Sequence, residues 1–427
     1  MKKLFNKNID AVVTFFYPVA AGIETNMLET YSVLVQKGWA INVHTSQSTL
    51  TQKNVLPAKN SIRGITINRY PKQLLGFFPG LNWQAENIIA LHNFDIFPHV
   101  FILSKALIRK LLGLPTPFIF LTPHGGFTPD WHSFSKLSAF IKKLYHRTLG
   151  TWLINVSVDQ VRAVSQWEKQ QIITYGVHPQ IITVISNGME KEAYERDSKY
   201  VSDGIKKHVK SWGTYLLQIG RIYPIKNYET TIRALTKLPS HVNFVIIGPI
   251  ANHKYLKSLK SLIAKNNLKS RVFFAGVIRG TDKYYVIKNA RLMVHMARWE
   301  SFCNAVHEGM SQGLPVIVAN NTALPLLVKN KVNGFCVSTF DSKTLAQKIN
   351  YILQNYNMRE IKKMRETNRQ FGLKHSWSEV AHQIETLLLR LVRKKNQCLS
   401  SLRGSASGGD EAISTPKRLL RYARNDN

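Results

Sequence analysis

The feature that most constrains the fold is a repeated alternation of short apolar runs with longer segments of helical periodicity. This alternation is typical of a parallel sheet whose faces are covered by helices. In the first half of the chain, strands are predicted at residues 11–17, 40–46, 117–122 and 180–186. In the second half they are predicted at residues 214–220, 243–248, 272–276, 290–296, 315–319 and 334–337.

The pattern lapses over the charged segment 190–213, which separates two series of strands. We therefore expect two doubly wound α/β domains. The predicted organisation is an N-terminal domain, a linker, a C-terminal domain, a closing helix and a disordered basic tail. The N-terminal domain takes residues 1–195, the linker 196–213 and the C-terminal domain 214–370. The closing helix takes residues 371–397 and the basic tail 398–427.

The composition limits the classes of molecule that the protein is expected to bind. The 427 residues carry a net charge of +33, which attracts phosphates, acidic lipids or nucleic acid. No zinc-finger spacing, aromatic RNA-binding motif or helix-turn-helix is visible, which disfavours a nucleic-acid role. The three cysteines, Cys303, Cys336 and Cys398, suit neither a disulfide framework nor a zinc site, so a reducing compartment such as the cytoplasm fits best.

The first apolar run is interpreted as a buried strand and not as a signal peptide. Asp10 interrupts the junction between the basic start and the run, and Pro18 closes it after seven residues, 11–17. No apolar run reaches about 18 residues, so no spanning helix is expected.

Charged residues follow several predicted strands of the second domain. Arg221 and Lys226 come after the first strand, and Glu300 follows the strand 290–296. A helix starting near Asn304 would then contain Glu308. Ligands of open α/β sheets bind at the carboxyl ends of the strands, and a helix N-terminus favours an anion. The pattern predicts a diphosphate cradle, with the glutamates accepting hydrogen bonds from ribose and sugar hydroxyls.

The segment "ARWESFCNAVHEGMSQGLPVIVA" (297–319) resembles the E-x7-E segment of retaining GT-B-fold glycosyltransferases of family 4, also called glycosyltransferase group 1. Further segments resemble this family in order: "PVAAGIETNMLETYSVLVQKGWAINVHT", "TPHGGF", "IGRIYPIKN", "VFFAGVI" and "VNGFCV". The resemblance covers most of the chain. It implies two Rossmann-like domains that face each other across a cleft, and a C-terminal helix that crosses back to the first.

The resemblance also implies a role for each matching residue. Arg221 and Lys226 would bind the diphosphate, Glu300 the sugar hydroxyls and Glu308 the ribose, while His124 of the first domain would face the sugar. The remaining donor-binding positions are contributed mainly by backbone: Gly22, Val277, Phe302, Cys303 and Asn304. The chain departs from the family in having Ala21-Gly22 for the usual Gly-Gly, Cys303 and Asn304 for Gly and a small apolar residue, and no glutamate in 320–327.

The function implied is transfer of a hexosyl group, with retention, from a nucleoside-diphosphate sugar to a glycan or lipid-linked acceptor. Synthesis of a cell-envelope polysaccharide such as lipopolysaccharide, O-antigen or capsule is expected. No cofactor or metal is expected, because fixed cations replace Mg²⁺ and no DxD-like pair is visible. Two alternatives stay open: an inactive GT-B relative serving as a membrane-associated assembly partner, and a GT-B-type sugar-nucleotide epimerase.

Residues 136–154 predict a basic amphipathic helix. Its apolar positions are Leu137, Phe140, Ile141, Leu144, Tyr145, Leu149 and Trp152, and its basic ones are Lys136, Lys142, Lys143 and Arg147. Such a helix can lie on an anionic bilayer. The equally weighted alternative is an ordinary helix that covers the first sheet. The first interpretation predicts peripheral attachment to the inner face of the cell membrane.

Overall fold

The computed structural model describes residues 7–19, 22–49, 52–129, 131, 134–194, 200–372 and 375–404. They form two compact α/β units, which confirms the predicted fold class. The first unit takes the described residues of Met1–Val164, Glu168–Ile185 and Ser378–Asn427, and the second takes Ser165–Trp167 and the described residues of Ser186–Trp377. Among the described helices, none combines the length and the apolar character that crossing a membrane requires.

The first unit is built on an eight-stranded sheet with the order β3-β4-β2-β1-β5-β6-β7-β8. Neighbouring strands are parallel except for β3, which pairs antiparallel with β4. The strands are β1 Asn8–Val12, β2 Ala40–Ser46, β3 Lys59–Ile62, β4 Ile65–Tyr70, β5 Ile88–His92, β6 Phe118–Thr122, β7 Gln160–Ala163 and β8 Ile182–Val184. The helices of this half of the chain are α1 Gly22–Gln36, α2 His99–Leu111, α3 Lys136–Arg147, α4 Leu149–Ser157 and α5 Gln166–Thr174.

The second unit has a six-stranded, wholly parallel sheet with the order β11-β10-β9-β12-β13-β14. Its strands are β9 Thr214–Ile219, β10 Val242–Ile247, β11 Val272–Phe274, β12 Leu292–His295, β13 Val316–Ala319 and β14 Gly334–Val337. The helices that follow in the chain are α6 Asp203–Trp212, α7 Tyr228–Leu235, α8 His253–Lys265, α9 Gly280–Asn289, α10 Asn304–Ser311, α11 Leu324–Leu327, α12 Ser342–Gln354, α13 Arg359–Gly372 and α14 Trp377–Gly404. This is the Rossmann strand order, and it reverses between β9 and β12, where such sheets bind their ligands.

All six strands predicted in the second half are confirmed, with ends within two residues of the prediction. The physical reason is that strands of this sheet are buried on both faces and therefore consist of continuous apolar runs. Gly248, directly after β10, is required by packing, because a Cβ there would lie 2.0 Å from the Gly220 carbonyl oxygen.

In the first half, the strands predicted at 40–46 and 117–122 are confirmed by β2 and β6. The prediction at 180–186 is too long, since β8 has only three residues. The prediction at 11–17 is wrong in extent, because β1 starts and ends earlier and contains Asp10.

Asp10 lies buried inside β1 because its carboxylate is fully engaged. It accepts hydrogen bonds from the backbone N–H of Asn82 at 2.8 Å and from the side-chain amides of Asn87 and Asn42 at 3.0 and 3.1 Å. A buried carboxylate is tolerated when it is bonded in this way.

Four strands of the first sheet do not stand out in the sequence. β3 and β4 form a hairpin whose turn, Arg63-Gly64, has positive φ at both residues (49° and 78°), as a two-residue hairpin turn needs. The apolar run of β5 is too short to distinguish from a helix by periodicity. β7 carries a buried arginine, Arg162, which interrupts the apolar pattern.

The predicted linker 196–213 contains a helix of the second unit. Val209 and Trp212 of α6 are buried in the hydrophobic core of that unit. The contact pattern divides the chain between Ile185 and Ser186, before the predicted boundary at 195.

The predicted closing helix 371–397 corresponds mainly to α14, which runs on to Gly404. From Ser378 onward this helix belongs to the first unit. Glu385 accepts hydrogen bonds there from Lys7, Lys37 and the Trp39 indole at 3.2, 3.0 and 2.9 Å. The start of the predicted disordered tail is therefore helical, and its residues 405–427 lie outside the described residues.

The amphipathic segment 136–154 is two helices, α3 and α4, separated at Thr148, whose φ and ψ of −126° and −105° are not helical. Within α3 only Tyr145 and His146 are buried. Six of the predicted apolar positions are exposed: Leu137, Phe140, Ile141, Leu144, Leu149 and Trp152. Tyr145, Leu153 and Ile154 lie in the hydrophobic core of the first unit, so the segment covers this core in part and leaves an apolar face exposed.

Candidate functional site

Two of the predicted site residues of the second unit, Lys226 and Glu300, meet where its strand order reverses. Lys226 ends a short 3-10 turn after β9, and Glu300 lies in the loop after β12. Although these residues are far apart in the chain, the Lys226 Nζ lies 2.5 Å from Glu300 Oε1. The strand ends thus bring together a cation and a carboxylate that the sequence placed at the same edge of the sheet.

Asn227 links its own loop to the loops after β12 and β14. It is fully buried in the left-handed conformation, with φ of 51°. Its side-chain amide donates to the carbonyls of Met296 and Thr339, both at 2.8 Å. Asparagine tolerates this conformation better than most residues. Nothing in the sequence pattern singled out Asn227, apart from its position beside a predicted site lysine.

Glu300 is held as a carboxylate. Its side chain is only 12% exposed, and His295 Nε2 lies 2.7 Å from the same Oε1 that Lys226 contacts. Burial by itself would raise the pKa of Glu300, but Lys226 and His295 outweigh it and lower the pKa to about 2. Oε2 has no hydrogen-bond partner in the described chain. His295 is itself fully buried at the end of β12 and orients Glu300.

The N-terminus of α10 is open toward this pair. Cys303, the residue before the helix, has a left-handed φ of 70° and makes no side-chain cap. The backbone N–H groups of Asn304 and Ala305 have no acceptor in the described chain. The Phe302 ring stacks on His307, with centroids 4.1 Å apart, so its backbone alone is available to a ligand.

One cluster has the side chains of a metal site. The ligand atoms of His295, Glu300 and Cys303 all lie within 4.8 Å of one another. Burial raises the pKa of the Cys303 thiol well above its usual value, so the thiol stays protonated. Lys226 and His295 Nε2 are also both paired with Oε1 of Glu300. This donor set therefore fits an ion pair better than a metal ion.

Glu308 lies on α10 and pairs with Lys283 of α9 at 3.2 Å. Lys283 also contacts Glu190 at 2.7 Å. Burial raises the pKa of Glu308; Lys283 opposes this effect and Glu190 adds to it. The sequence pattern did not single out Lys283 and left Glu190 in a charged segment without a role.

Arg221 and Val277 follow β9 and β11, at the same edge of the sheet as Glu300. Arg221 is exposed and has no ion pair in the described chain. Val277 is 53% exposed. Both are therefore accessible to a ligand at the strand ends.

The other two predicted site residues belong to the first unit. His124 follows β6 with a left-handed φ of 51°, and its Nε2 lies 3.0 Å from Nδ1 of His92 at the end of β5. Burial lowers the pKa of His124 well below its usual value. Gly22 opens α1, and an added Cβ would meet nothing within 4 Å, so packing within this unit does not require glycine there.

Two family models match the chain. "Glycosyltransferase Family 4" matches residues 20–193, and "Glycosyl transferases group 1" matches residues 205–371. The chain belongs to the GT4-type, GT-B glycosyltransferases. The two matches fall on the first and second units in turn, and the second contains Lys226, Glu300 and Glu308.

Relatives of this glycosyltransferase are distant. It is 26% identical over 216 residues to an uncharacterized glycosyltransferase of Methanocaldococcus jannaschii, covering 50% of this chain and 52% of that one. It is 23% identical over 237 residues to O-antigen chain mannosyltransferase B of Escherichia coli, covering 55% and 60%. It thus spans only about half of each relative's length.

The fold is shared with solved structures. The crystal structure of Anabaena HepE in complex with UDP-glucose superposes with a TM-score of 0.69, covers 90% of this chain and 99% of its own, and is 19% identical. At that identity the likeness concerns the fold alone.

Proposed function

We propose that this glycosyltransferase moves a hexosyl group, with retention, from a nucleoside-diphosphate sugar to a glycan or lipid-linked acceptor of the cell envelope. The observation that carries the proposal is the cluster at the reversal of strand order, where Lys226, Glu300 and the open N-terminus of α10 converge. The E. coli relative is an O-antigen mannosyltransferase, and the Anabaena structure holds UDP-glucose, which support the acceptor and donor classes proposed.

In this proposal, the positive groups stabilise the leaving diphosphate. Charge builds on that group as the anomeric C–O bond breaks, and Arg221, Lys226 and the N–H groups at the start of α10 lie at the strand ends where it would sit. Preorganised donors of this kind are each worth about 3–4 kcal/mol in the transition state. These groups supply the charge that a metal ion provides in other transferases.

Retention is the outcome that the family resemblance implies, and in this proposal Glu300 positions the sugar and does not act as a nucleophile. With its pKa near 2 and one oxygen tied to two partners, it is a weak base held in place. It suits hydrogen bonding to sugar hydroxyls better than proton transfer or nucleophilic attack. The acceptor oxygen would attack the anomeric carbon on the face from which the diphosphate leaves, and its proton would pass to a leaving phosphate oxygen.

A panel of nucleotide sugars tests this proposal without knowledge of the acceptor. One donor should raise the melting temperature and be hydrolysed slowly to free sugar and nucleoside diphosphate, and Lys226→Met should lower the rate of this hydrolysis about a hundredfold. An epimerase would instead yield an epimerised nucleotide sugar or its elimination product. Absence of turnover with every donor, although one binds, would favour the inactive assembly partner.

We also propose that the first unit attaches to an anionic bilayer through the apolar face of α3 and α4, defined as Leu137, Phe140, Ile141, Leu144, Leu149 and Trp152. Their exposed fractions range from 48% to 69%. Exposed contiguous apolar surface of this kind marks an interaction site. The net charge of +33, with Lys136, Lys143 and Arg147 exposed on α3, favours an acidic lipid surface.

Lys142 has a different role from the one its sequence position suggested. Its Nζ lies 3.3 Å from Asp95 and 5.2 Å from the centre of the Phe134 ring. Reversing the charge of Lys142 would break this internal ion pair. Substitution of the exposed apolar side chains is therefore a better test of membrane attachment.

The double variant Phe140→Ser/Leu144→Ser should lose more than tenfold in binding to vesicles of phosphatidylcholine and phosphatidylglycerol, because burying each such side chain is worth about 1.5–3 kcal/mol. The matched control is Leu326→Ser/Phe340→Ser, which removes equally exposed side chains from the second unit. Equal flotation of both double variants would refute attachment through this face.

A further inference from the structure

Three side chains of the first unit form a continuous hydrogen-bond chain that ends at a predicted site residue. Tyr31 of α1 places its hydroxyl 2.6 Å from His92 Nε2. His92 Nδ1 in turn lies 3.0 Å from His124 Nε2. The two imidazole planes differ by only 20° with centroids 5.3 Å apart, so the bonded nitrogens lie between nearly coplanar rings.

All three groups are neutral near pH 7. Burial lowers the pKa of His92 to about 3, lowers that of His124 well below its usual value and raises that of the Tyr31 phenol. Each group therefore has one hydrogen to donate. Only two arrangements satisfy both bonds: donation from Tyr31 through His92 to His124, or donation in the reverse direction.

The surroundings of Tyr31 decide between them. In the reverse direction Tyr31 would accept from His92, and its own hydrogen would need another acceptor. Tyr31 is 4% exposed, and no other described residue accepts a bond from its hydroxyl. Leaving that hydrogen buried and unpaired costs free energy. The positive charge of the nearby buried Arg162 also acts on the phenol and favours an orientation in which the lone pairs of the Tyr31 oxygen face Arg162. In that orientation the Tyr31 hydrogen points to His92.

The loop that carries His124 is itself held in place. The neighbouring Gly125 N–H donates to the buried carboxylate of Glu168, which also accepts from Val164 N–H at 2.6 Å. A Cβ on Gly126 would lie 2.7 Å from the Phe94 backbone nitrogen. The His124 ring is half-buried, and its Nδ1 has no partner in the described chain. Loop and ring are therefore fixed while one nitrogen stays available.

We propose that Tyr31 and His92 are positioning residues that fix His124 as the Nδ1–H tautomer, so that Nδ1 is a permanent hydrogen-bond donor. The acceptor of this bond would be a hydroxyl oxygen of the donor sugar, and this part rests on the proposed function. Free histidine prefers to carry its proton on Nε2. The hydrogen-bond chain thus imposes the less common tautomer and supplies the ring orientation as well.

The tautomer can be measured directly on the full-length protein labelled with ¹⁵N-histidine. We expect the wild-type His124 to show a protonated Nδ1, with its signals assigned by their loss in His124→Asn. Tyr31→Phe and His92→Phe should each move the proton toward Nε2. His92→Asn should keep it on Nδ1, because the asparagine amide can donate in place of His92 Nδ1–H.

Tyr145→Phe is the matched control, because the Tyr145 hydroxyl is buried without a partner and its loss should leave His124 unchanged. A wild-type His124 protonated on Nε2, or a tautomer unaffected by Tyr31→Phe and His92→Phe, would overturn the proposal.

Kinetics test the contact with the sugar. Loss of one hydrogen bond should lower kcat/KM for donor hydrolysis about three- to tenfold in Tyr31→Phe and His92→Phe, and hardly at all in His92→Asn. Binding of the nucleoside diphosphate alone should not change. An altered tautomer with unchanged donor hydrolysis would overturn the sugar contact. If no nucleotide sugar is hydrolysed even by the wild type, the proposed function fails, while the tautomer result still decides the positioning role.

Discussion

Lys226→Met removes one charge from the centre of the candidate site and keeps the length of the side chain. In the wild type, the ammonium lies 2.5 Å from Glu300 Oε1, and the two side chains are 18% and 12% exposed. The variant leaves Glu300 with His295 as its remaining partner. Because burial raises the pKa of this carboxyl, the substitution exposes a cost that Lys226 normally offsets.

The size of that cost follows from the pKa. Glu300 is lowered from an ordinary value of 4.5 to about 2, and one pKa unit corresponds to about 1.36 kcal/mol. Lys226 is the largest of the lowering influences, so its removal should cost about 2–3 kcal/mol of unfolding free energy at pH 7.5, on the order found when buried ion pairs are broken.

The loss of unfolding free energy caused by Lys226→Met should be smaller at lower pH. A lowered pKa means that the wild-type Glu300 contributes its stability above pH 4.5 and loses it as the pH falls toward 2. In the variant, the raised pKa allows the carboxyl to take up a proton at a higher pH, which relieves the penalty. The difference between the two proteins should therefore be smaller at pH 5 than at pH 7.5.

Urea unfolding followed by tryptophan fluorescence at both pH values measures this difference, with Lys226→Arg as the control that keeps the cation. Donor hydrolysis, measured in parallel, should fall by about a hundredfold in Lys226→Met, as expected for loss of a leaving-group contact. A stability loss below about 0.5 kcal/mol, or one that is equal at both pH values, would refute the electrostatic reasoning.

Three further outcomes are expected. Glu308→Gln should weaken nucleoside-diphosphate binding about tenfold by calorimetry, while the exposed Glu366→Gln should not; equal affinities would remove Glu308 from the site. Donor hydrolysis should persist in EDTA, and complete loss restored by Mg²⁺ would contradict the fixed-cation proposal. Stability should decline as the pH falls from 6.5 to about 4.5, because burial lowers the pKa of His92 to about 3 and those of His99, His146 and His307 to about 4. These groups stabilise the fold when neutral and lose that contribution below their unfolded pKa, whereas Glu168, raised to about 7, acts in the opposite sense but is outnumbered. Constant stability over that range in urea titrations would contradict this account.

The strands of the second sheet were predictable because they are buried on both faces. Each is a continuous apolar run between turn signals, and a run such as 334–337 coincides with its strand, β14. The first sheet was harder, because it mixes in polar features. Asp10 in β1 and Arg162 in β7 are buried inside strands, where only partners from distant segments make them tolerable.

In the candidate site, too, some features were predictable from the sequence and others were not. The placement of Lys226 and Glu300 after strands and of Glu308 near the start of a helix was predictable, because it is a property of local sequence. Their partners were not. His295, Lys283 and Glu190 became visible only when packing brought them within hydrogen-bond distance.

By itself, the sequence determined the alternation of strands and helices, the two-domain α/β class and the places along the chain where charged residues follow strands, because each depends on periodicity and local order. The tertiary structure alone decided which carboxylate oxygen of Glu300 stays free, which face of α3 meets solvent and which tautomer His124 is expected to adopt. Each of these depends on burial and on hydrogen bonds between residues tens of positions apart, as between Tyr31, His92 and His124. Such contacts do not produce a periodic pattern in the sequence. A polar residue that is hydrogen-bonded inside the core cannot be told from the sequence apart from a polar residue that faces water.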